Sequence, residues 1–423
     1  MQSSDRAKGS ISPAALGYRL PAEWEPHEAT WIGWPHNHSD WPGKFAPIPW
    51  VYAEIVLKIA PGEILRILVN SKAHEEQAKR ILRRVGVDLS RLEFFRFPTN
   101  RGWTRDFGPI FVKRDANHSP RGRADPRFWG PRLVHGPKKK PREGGEQPDL
   151  AIVDFGFNGW AKYPNWEKDN RVASLAARAL GCRLFVAQVS SRGADARGRR
   201  RAAARRLWAA GRAATRAAPA SKQSHFVLEG GSIEGNGRGT LLTTEECLLD
   251  PEVQVRNPGF TRKGTEEALR EYLGVKNVLW LGKGIAGDDT HGHVDDFCRF
   301  VGPRTVVLCW ESNPSDANYR PLEENRERLQ GMRLEDGSRL EVVALPMPAA
   351  LFLDGQRLPA SYANFYISNS AVLVPTFNDS NDRIALGILT DLFPDRAVIG
   401  IHAVDLVWGL GTLHCLTHEQ PTE

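Results

Sequence analysis

Short β-rich runs, helical runs and Gly/Pro turns follow one another along this chain in a recurring order, strand, strand, helix, strand, which limits the fold more than any other feature. The β-rich runs include ILRILV (64–69), LAIVDFG (150–156), HFVLEGG (225–231), GTLLTT (239–244), NVLWLG (277–282), TVVLCW (305–310) and SAVLVP (370–375). Apolar residues at helical spacing, with charges on the other face, predict helices over 51–59, 73–85, 168–180, 262–273, 321–330 and 381–393. The last opens NDSNDRIALGILTDLF, where several candidate N-cap residues precede the apolar pattern. Such alternation implies an α/β fold made from a repeated supersecondary unit.

Two stretches break the pattern. Residues 114–147 are rich in Pro, Gly and basic residues, and 192–220 are nearly all Arg, Ala and Gly. Neither has the spaced apolar residues that build core, so both are expected to be surface insertions in one domain over 18–421, after a flexible tail at 1–17. They also account for the basic charge. The total is +7, but Arg192 to Ala220 carries +8 and Lys113 to Asp149 carries +5, which leaves −6 for the rest. A mildly acidic body suits a small cationic substrate better than nucleic acid. With 41% apolar and 25% charged residues and no apolar run long enough for a bilayer, the chain is expected to be cytoplasmic, without a membrane partner.

Four glycine-flanked segments concentrate reactive side chains: GWTRDFGP (102–109), FVLEGGSIEGNGRGTLLTTEE (226–246), GDDTHGHVDD (287–296) and GLGTLHCLTHEQP (409–421). Glycine beside a reactive group permits close approach of backbone and substrate, so the four could share one pocket. The five cysteines, Cys182, Cys247, Cys298, Cys309 and Cys415, include no CxxC. Four have apolar surroundings and read as small buried hydrophobes. Cys415 instead follows His414 after a Gly-rich turn, where a thiolate could serve as nucleophile with a histidine to move its proton. His293 and Asp295, two apart on an expected strand, would face the same side and could move protons or grip a cation. Together with His291 they could equally ligate a metal, although no second His-rich cluster completes the set. Asp106, between Arg105 and Phe107, could make a turn, pair with Arg105 or bind substrate. Glu229, at the expected end of the strand HFVLE, could orient a histidine or cap the turn.

These motifs, with LPAEWEPHEATWIGWP near the start and ASYANFYISNSAVLVPTFND before the last helix, resemble in order the agmatine deiminase family. That family belongs with the bacterial, Porphyromonas-type peptidylarginine deiminases in the guanidine-modifying superfamily. The resemblance implies the pentein fold, an α/β-propeller of five ββαβ-type units around a pseudo-fivefold axis with a central active site. It implies Cys415 as nucleophile, His293 as general acid/base, Asp106 and Asp295 as carboxylates that hold the guanidinium, and Glu229 as a third carboxylate near the histidine and the substrate. Trp103 matches a tryptophan that packs on the substrate's aliphatic chain. The implied reaction converts agmatine to N-carbamoylputrescine and ammonia through a Cys415 thiouronium, with no metal or cofactor. Homo-oligomerisation is left open.

Departures bear on the substrate tail. Thr290-His291-Gly292-His293 stands where the family has Thr-Asp-Gly-His, Gly409-Leu410-Gly411 where it has three glycines, and Ser232-Ile233-Glu234-Gly235-Asn236 where it has Ser-Ile-His-Val-Asp. Peptidyl or free arginine is therefore the alternative substrate. The alternative of another class is an inactive or nucleic-acid-binding protein acting through its basic insertions.

Overall fold

A computed structural model of the chain describes residues 11–114, 149–189 and 224–423. The expected insertions, apart from Arg114, and residues 1–10 of the expected tail lie outside the described residues.

Five sheets repeat one plan: a leading strand runs antiparallel to a central strand, and a helix carries the chain from there to a parallel third strand. In the first, Thr417–Pro421 leads, His27–Gly33 is central, helix Ile48–Ile59 crosses and Ile64–Leu68 follows, with Leu92–Phe95 added outside. The second comprises Ile110–Lys113, Leu150–Asp154, helix Val172–Leu180 and Arg183–Val186. The third comprises Glu234–Gly235, Thr240–Thr244, helix Arg262–Leu273 and Asn277–Leu281. The fourth comprises Cys298–Phe300, Thr305–Trp310, helix Tyr319–Gly331 and Glu341–Pro346. In the fifth, Tyr366–Ile367 and Ala371–Thr376 precede helix Ser380–Leu392 and Ala397–His402. A parallel neighbour needs a crossover, and the helices supply it. Central strands such as Leu150–Asp154 and Thr240–Thr244 are buried at every residue, which explains their unbroken apolar or β-branched runs.

The observed helices follow the expected ones closely, and 381–393 starts at a capping box built by Asp379 and Asp382. Two strands lack an apolar signature. HEATWIG and THEQP carry His27, Glu28, Thr30, His418 and Glu419, yet they pair with each other and join the two ends of the chain in one sheet. Buried polar partners make this possible, including Trp31 Nε1 donating to Gln420 at 3.0 Å and His27 set against Glu63. Among the described residues, no helix is long and apolar enough to cross a membrane.

Immediately before each leading strand the backbone makes a buried turn: Thr104–Phe107, Gly230–Ser232, Val294–Asp296, the residues around Asn364, and Leu413–Leu416. Buried charges staple these five places together. Arg299 Nε donates to Glu234 at 2.9 Å, its NH2 to Glu23 at 2.7 Å and its NH1 to the carbonyls of Phe365 at 2.7 Å and Ala363 at 3.2 Å. Glu23 also accepts from Ile367 N at 2.7 Å. Arg105 NH1 donates to Glu419 at 2.7 Å and its Nε to the His414 carbonyl at 3.3 Å.

Replacing Arg299 with Met would leave Glu23 and Glu234 buried beside an apolar chain. Removing one partner of a buried ion pair costs about 3–5 kcal/mol. Arg299→Met is therefore expected to lower the unfolding free energy by that amount, read from the denaturant midpoint at unchanged slope. A loss below about 1 kcal/mol would show that the staple does not hold the fold.

Candidate active site

Each sequence motif supplies one of these turns, so reactive side chains far apart in sequence meet. In WTRDFGP, the turn Thr104–Phe107 ends at Gly108, whose N–H donates to the Thr104 carbonyl at 2.7 Å, and Pro109 leads into the strand. Arg105 turns away to Glu419, so of the alternatives open for Asp106 the pairing with Arg105 does not form. Asp106 instead accepts from Gly231 N at 3.1 Å on Oδ1 and from Trp160 Nε1 at 2.8 Å on Oδ2. Glu229 follows a broken stretch, in which Ser224–His225 pairs with Gln188–Val189 and Val227 makes an isolated bridge to Gly156, rather than the expected continuous strand. Its Oε1 accepts from Arg256 Nε at 3.0 Å, with both side chains fully buried.

The segment GDDTHGHVDD folds as a loop rather than a strand, because Asp288 accepts from the backbone of Thr290, Gly292 and His293. His291 consequently sits at φ 65° and points to Asp250 at 2.9 Å, away from His293, so the His291–His293–Asp295 metal arrangement does not form. Asp289 holds Lys162 and the Tyr163 hydroxyl. His293 precedes the 3₁₀ turn Val294–Asp296, not a strand, and the turn brings both His293 and Asp295 inward.

The imidazole of His293 is surrounded by acids without a conventional hydrogen bond among the described residues. Its Nδ1 lies 3.7 Å from Asp106 and 3.9 Å from Asp295, and its Nε2 lies 3.9 Å from Glu229. A Cβ on Gly231 would fall 2.6 Å from that Nδ1, so only glycine fits there. Burial alone would push His293 down, but Asp106, assisted by Cys247 and Glu229, holds it well above the usual histidine range. Burial in turn raises Asp106 to about 6 despite His293, whereas Arg256 overcomes burial at Glu229 and holds it near 2.

Cys415 lies on the turn Leu413–Leu416 and lines a cleft of about 500 Å³ with Trp103, Asp106, Trp160, Leu410 and Gly411. Its Sγ is 3.9 Å from Asp295 Oδ2 and accepts from Asn364 Nδ2 at 3.1 Å. Asn364 fixes the turn as well, since its Oδ1 accepts from Thr412 at 2.8 Å and from His414 N at 3.1 Å. Burial, with Asp295, Asp296 and Asp106 close by, raises the thiol well above its usual range. Behind it, His414 bridges Asp295 at 2.6 Å and Glu23 at 2.7 Å. Burial and the guanidiniums of Arg105 and Arg299 hold the His414 ring well below the usual histidine range.

All six expected site residues, Cys415, His293, Asp106, Asp295, Glu229 and Trp103, thus come together. Trp103 packs beside Trp41 with ring centroids 5.2 Å apart, and a Cβ on Gly411 would fall 2.9 Å from it. Sequence reasoning missed Trp160, Arg256, Asn364 and Cys247. Asn364 stood inside the motif ASYANFYISN, and Arg256 carries no local signal. Trp160, which donates to Asp106, stands with Ala161 at positive φ, a conformation that its sequence does not signal.

Neutralising Asp106 removes the main influence that raises His293. In Asp106→Asn the imidazole titration, followed by NMR, is expected to move down, and activity dependent on a protonated His293 to fade at lower pH. An unmoved titration would contradict this electrostatic account.

Comparisons with known proteins agree with the geometry. The family model of Porphyromonas-type peptidyl-arginine deiminases matches residues 19–421. An agmatine deiminase from Pseudomonas aeruginosa is 30% identical, with 97% of each chain covered. The solved agmatine deiminase of Enterococcus faecalis superposes with a TM-score of 0.75 at 27% identity, covering 98% of each chain. A Porphyromonas gingivalis structure provisionally called an arginine deiminase gives 0.71 at 34% identity, covering 96% of this chain and 98% of its own. A match over nearly the whole length places this chain in the Porphyromonas-type peptidyl-arginine deiminase family.

Proposed function

We propose that the protein hydrolyses a guanidine, agmatine, to N-carbamoylputrescine and ammonia through a covalent intermediate on Cys415. The observation that carries this reading is a thiol at the floor of a cleft, flanked by Asp106 and Asp295 with His293 beside them. That lining suits a planar cation. A guanidinium is always charged and a poor electrophile, so two carboxylates must hold its nitrogens while sulfur attacks the central carbon. Its positive charge also offsets the nearby carboxylates that, after burial, raise the Cys415 thiol, so substrate binding favours the thiolate and the thiol proton is released to solvent.

Sulfur bonds to carbon, His293 gives a proton to the departing ammonia, and a thiouronium remains on Cys415. Water, deprotonated by the same imidazole, then attacks that carbon, the C–S bond breaks and the ureido product leaves. Glu229, fixed by Arg256, holds the far side of His293. Trp103 lies along the aliphatic tail. The five repeated sheets support a pentein arrangement, five units about a pseudo-fivefold axis with the turns meeting at its centre and 18–421 forming one catalytic domain.

Full-length relatives named agmatine deiminases support agmatine over other guanidines. One feature favours arginine as the second reading: Arg101 lines the mouth and could meet a substrate carboxylate. It is already engaged by Asp40, and its guanidinium lies 4.2 Å from the centre of the Tyr163 ring. Ureido-product assays with agmatine, free arginine and a peptide ending in arginine are expected to rank agmatine first by at least about tenfold in kcat/KM, a difference of 1.4 kcal/mol. Cys415→Ser is expected to lose turnover while keeping its melting temperature. Preference for an arginine substrate would move the assignment to the second reading, and full activity of the serine variant would end it.

A further inference from the structure

Cys247 is a buried thiol that the reaction above does not use. It sits on the short helix Glu245–Leu249, whose cap ties it to the active-site loop: Thr244 Oγ1 accepts from Cys247 N at 3.0 Å and donates to the Gly292 carbonyl at 2.6 Å. Ligand atoms of Cys247, His293 and Glu229 all lie within 4.8 Å of one another, and all three residues are buried. Both His293 ring nitrogens and Glu229 Oε2 lack a hydrogen-bond partner among the described residues. Buried polar atoms left open and aimed at one another are uncommon.

We propose that Glu229, Cys247 and His293 form an inhibitory site for a soft divalent cation of the zinc class. Zinc takes sulfur at about 2.3 Å and nitrogen or oxygen at about 2.0–2.2 Å, which places tetrahedral ligands roughly 3.3–3.6 Å apart. The 3.9 Å between His293 Nε2 and Glu229 Oε2 needs little closing. Arg256 stays on Glu229 Oε1 and leaves Oε2 to the ion. Binding forms metal bonds to Sγ, imidazole nitrogen and Oε2, and releases the thiol proton and one imidazolium proton to solvent. No electron moves. The thiolate selects zinc or cobalt over magnesium or calcium. A second cluster, Glu23, Glu234 and His414, is a poorer candidate because Arg299 already holds both glutamates.

Inhibition follows because the ion takes His293, and this consequence alone rests on the function proposed above; occupancy does not. Zinc is expected to inhibit the wild-type protein reversibly by chelator, with magnesium inert. With inhibition scaled to its own zinc-free turnover, Cys247→Ser should need at least about tenfold more zinc for half-inhibition, at 1.4 kcal/mol per power of ten. Cobalt added to Cys415→Ser, which keeps the proposed ligands, is expected to show a thiolate charge-transfer band that disappears in the Cys415→Ser, Cys247→Ser double variant. A folded Cys247→Ser protein with unchanged zinc sensitivity would overturn the proposal. So would a Cys415→Ser protein without the cobalt band, which assigns the metal to the nucleophile with Asp295 and Asp296 and remains decisive if Cys247→Ser folds poorly. Should no guanidine be turned over, the cobalt spectra still test the site.

Discussion

Beneath the reactive groups, Glu23 joins Arg299 at 2.7 Å and His414 at 2.7 Å, and His414 passes the connection to Asp295 at 2.6 Å. Everything above depends on this buried chain of charges. A carboxylate aimed at a substrate cation is costly to bury alone, and it stays in place only because its second oxygen and its neighbours are held from behind. The same connections fix the turns that carry the chemistry, since Arg299 reaches the leading strands of the third and fifth sheets and Arg105 reaches that of the first. Fold stability and site geometry therefore share one set of interactions.

The result is a desolvated cleft whose charge is completed by the ligand. Asp106 and Asp296 are raised by burial, and Cys415 by burial and by Asp295, Asp296 and Asp106 beside it, so a bound guanidinium would shift all three toward their charged forms. His293 responds in the opposite direction, because acids on both sides favour its charged form. In the proposed mechanism, the histidine proton would serve the leaving group, and the thiolate would form when the cation arrives. The open atoms of His293 and Glu229 are the cost of that arrangement, and Cys247 beside them makes the cavity receptive to a thiophilic metal.

Much of this was legible in the sequence because period and chemistry agreed. The alternation of strands with helices such as 262–273 and 381–393 gave the repeated unit, and glycine beside Asp106, Glu229, His293 and Cys415 marked the turns. What stayed hidden was set by long-range contacts. HEATWIG and THEQP look too polar for buried strands until Glu63 and Gln420 are seen as their partners. Alternation in THGHVDD suggested a strand, but Asp288 captures the loop's N–H groups and sends His291 outward and His293 inward. Cys247 read as an ordinary apolar cysteine, since no local pattern reveals that its helix packs on Gly292.

The central claim is that the converging turns make Cys415 a covalent catalyst toward a guanidine. Rapid acid quenching of the protein during agmatine turnover, followed by peptide mass spectrometry, tests it directly. A mass gain of one agmatine less one ammonia, confined to the peptide containing Cys415 and formed as fast as ammonia appears, is the predicted result. Ureido product accumulating with no such adduct on Cys415, or with the adduct on Cys247, would contradict the account.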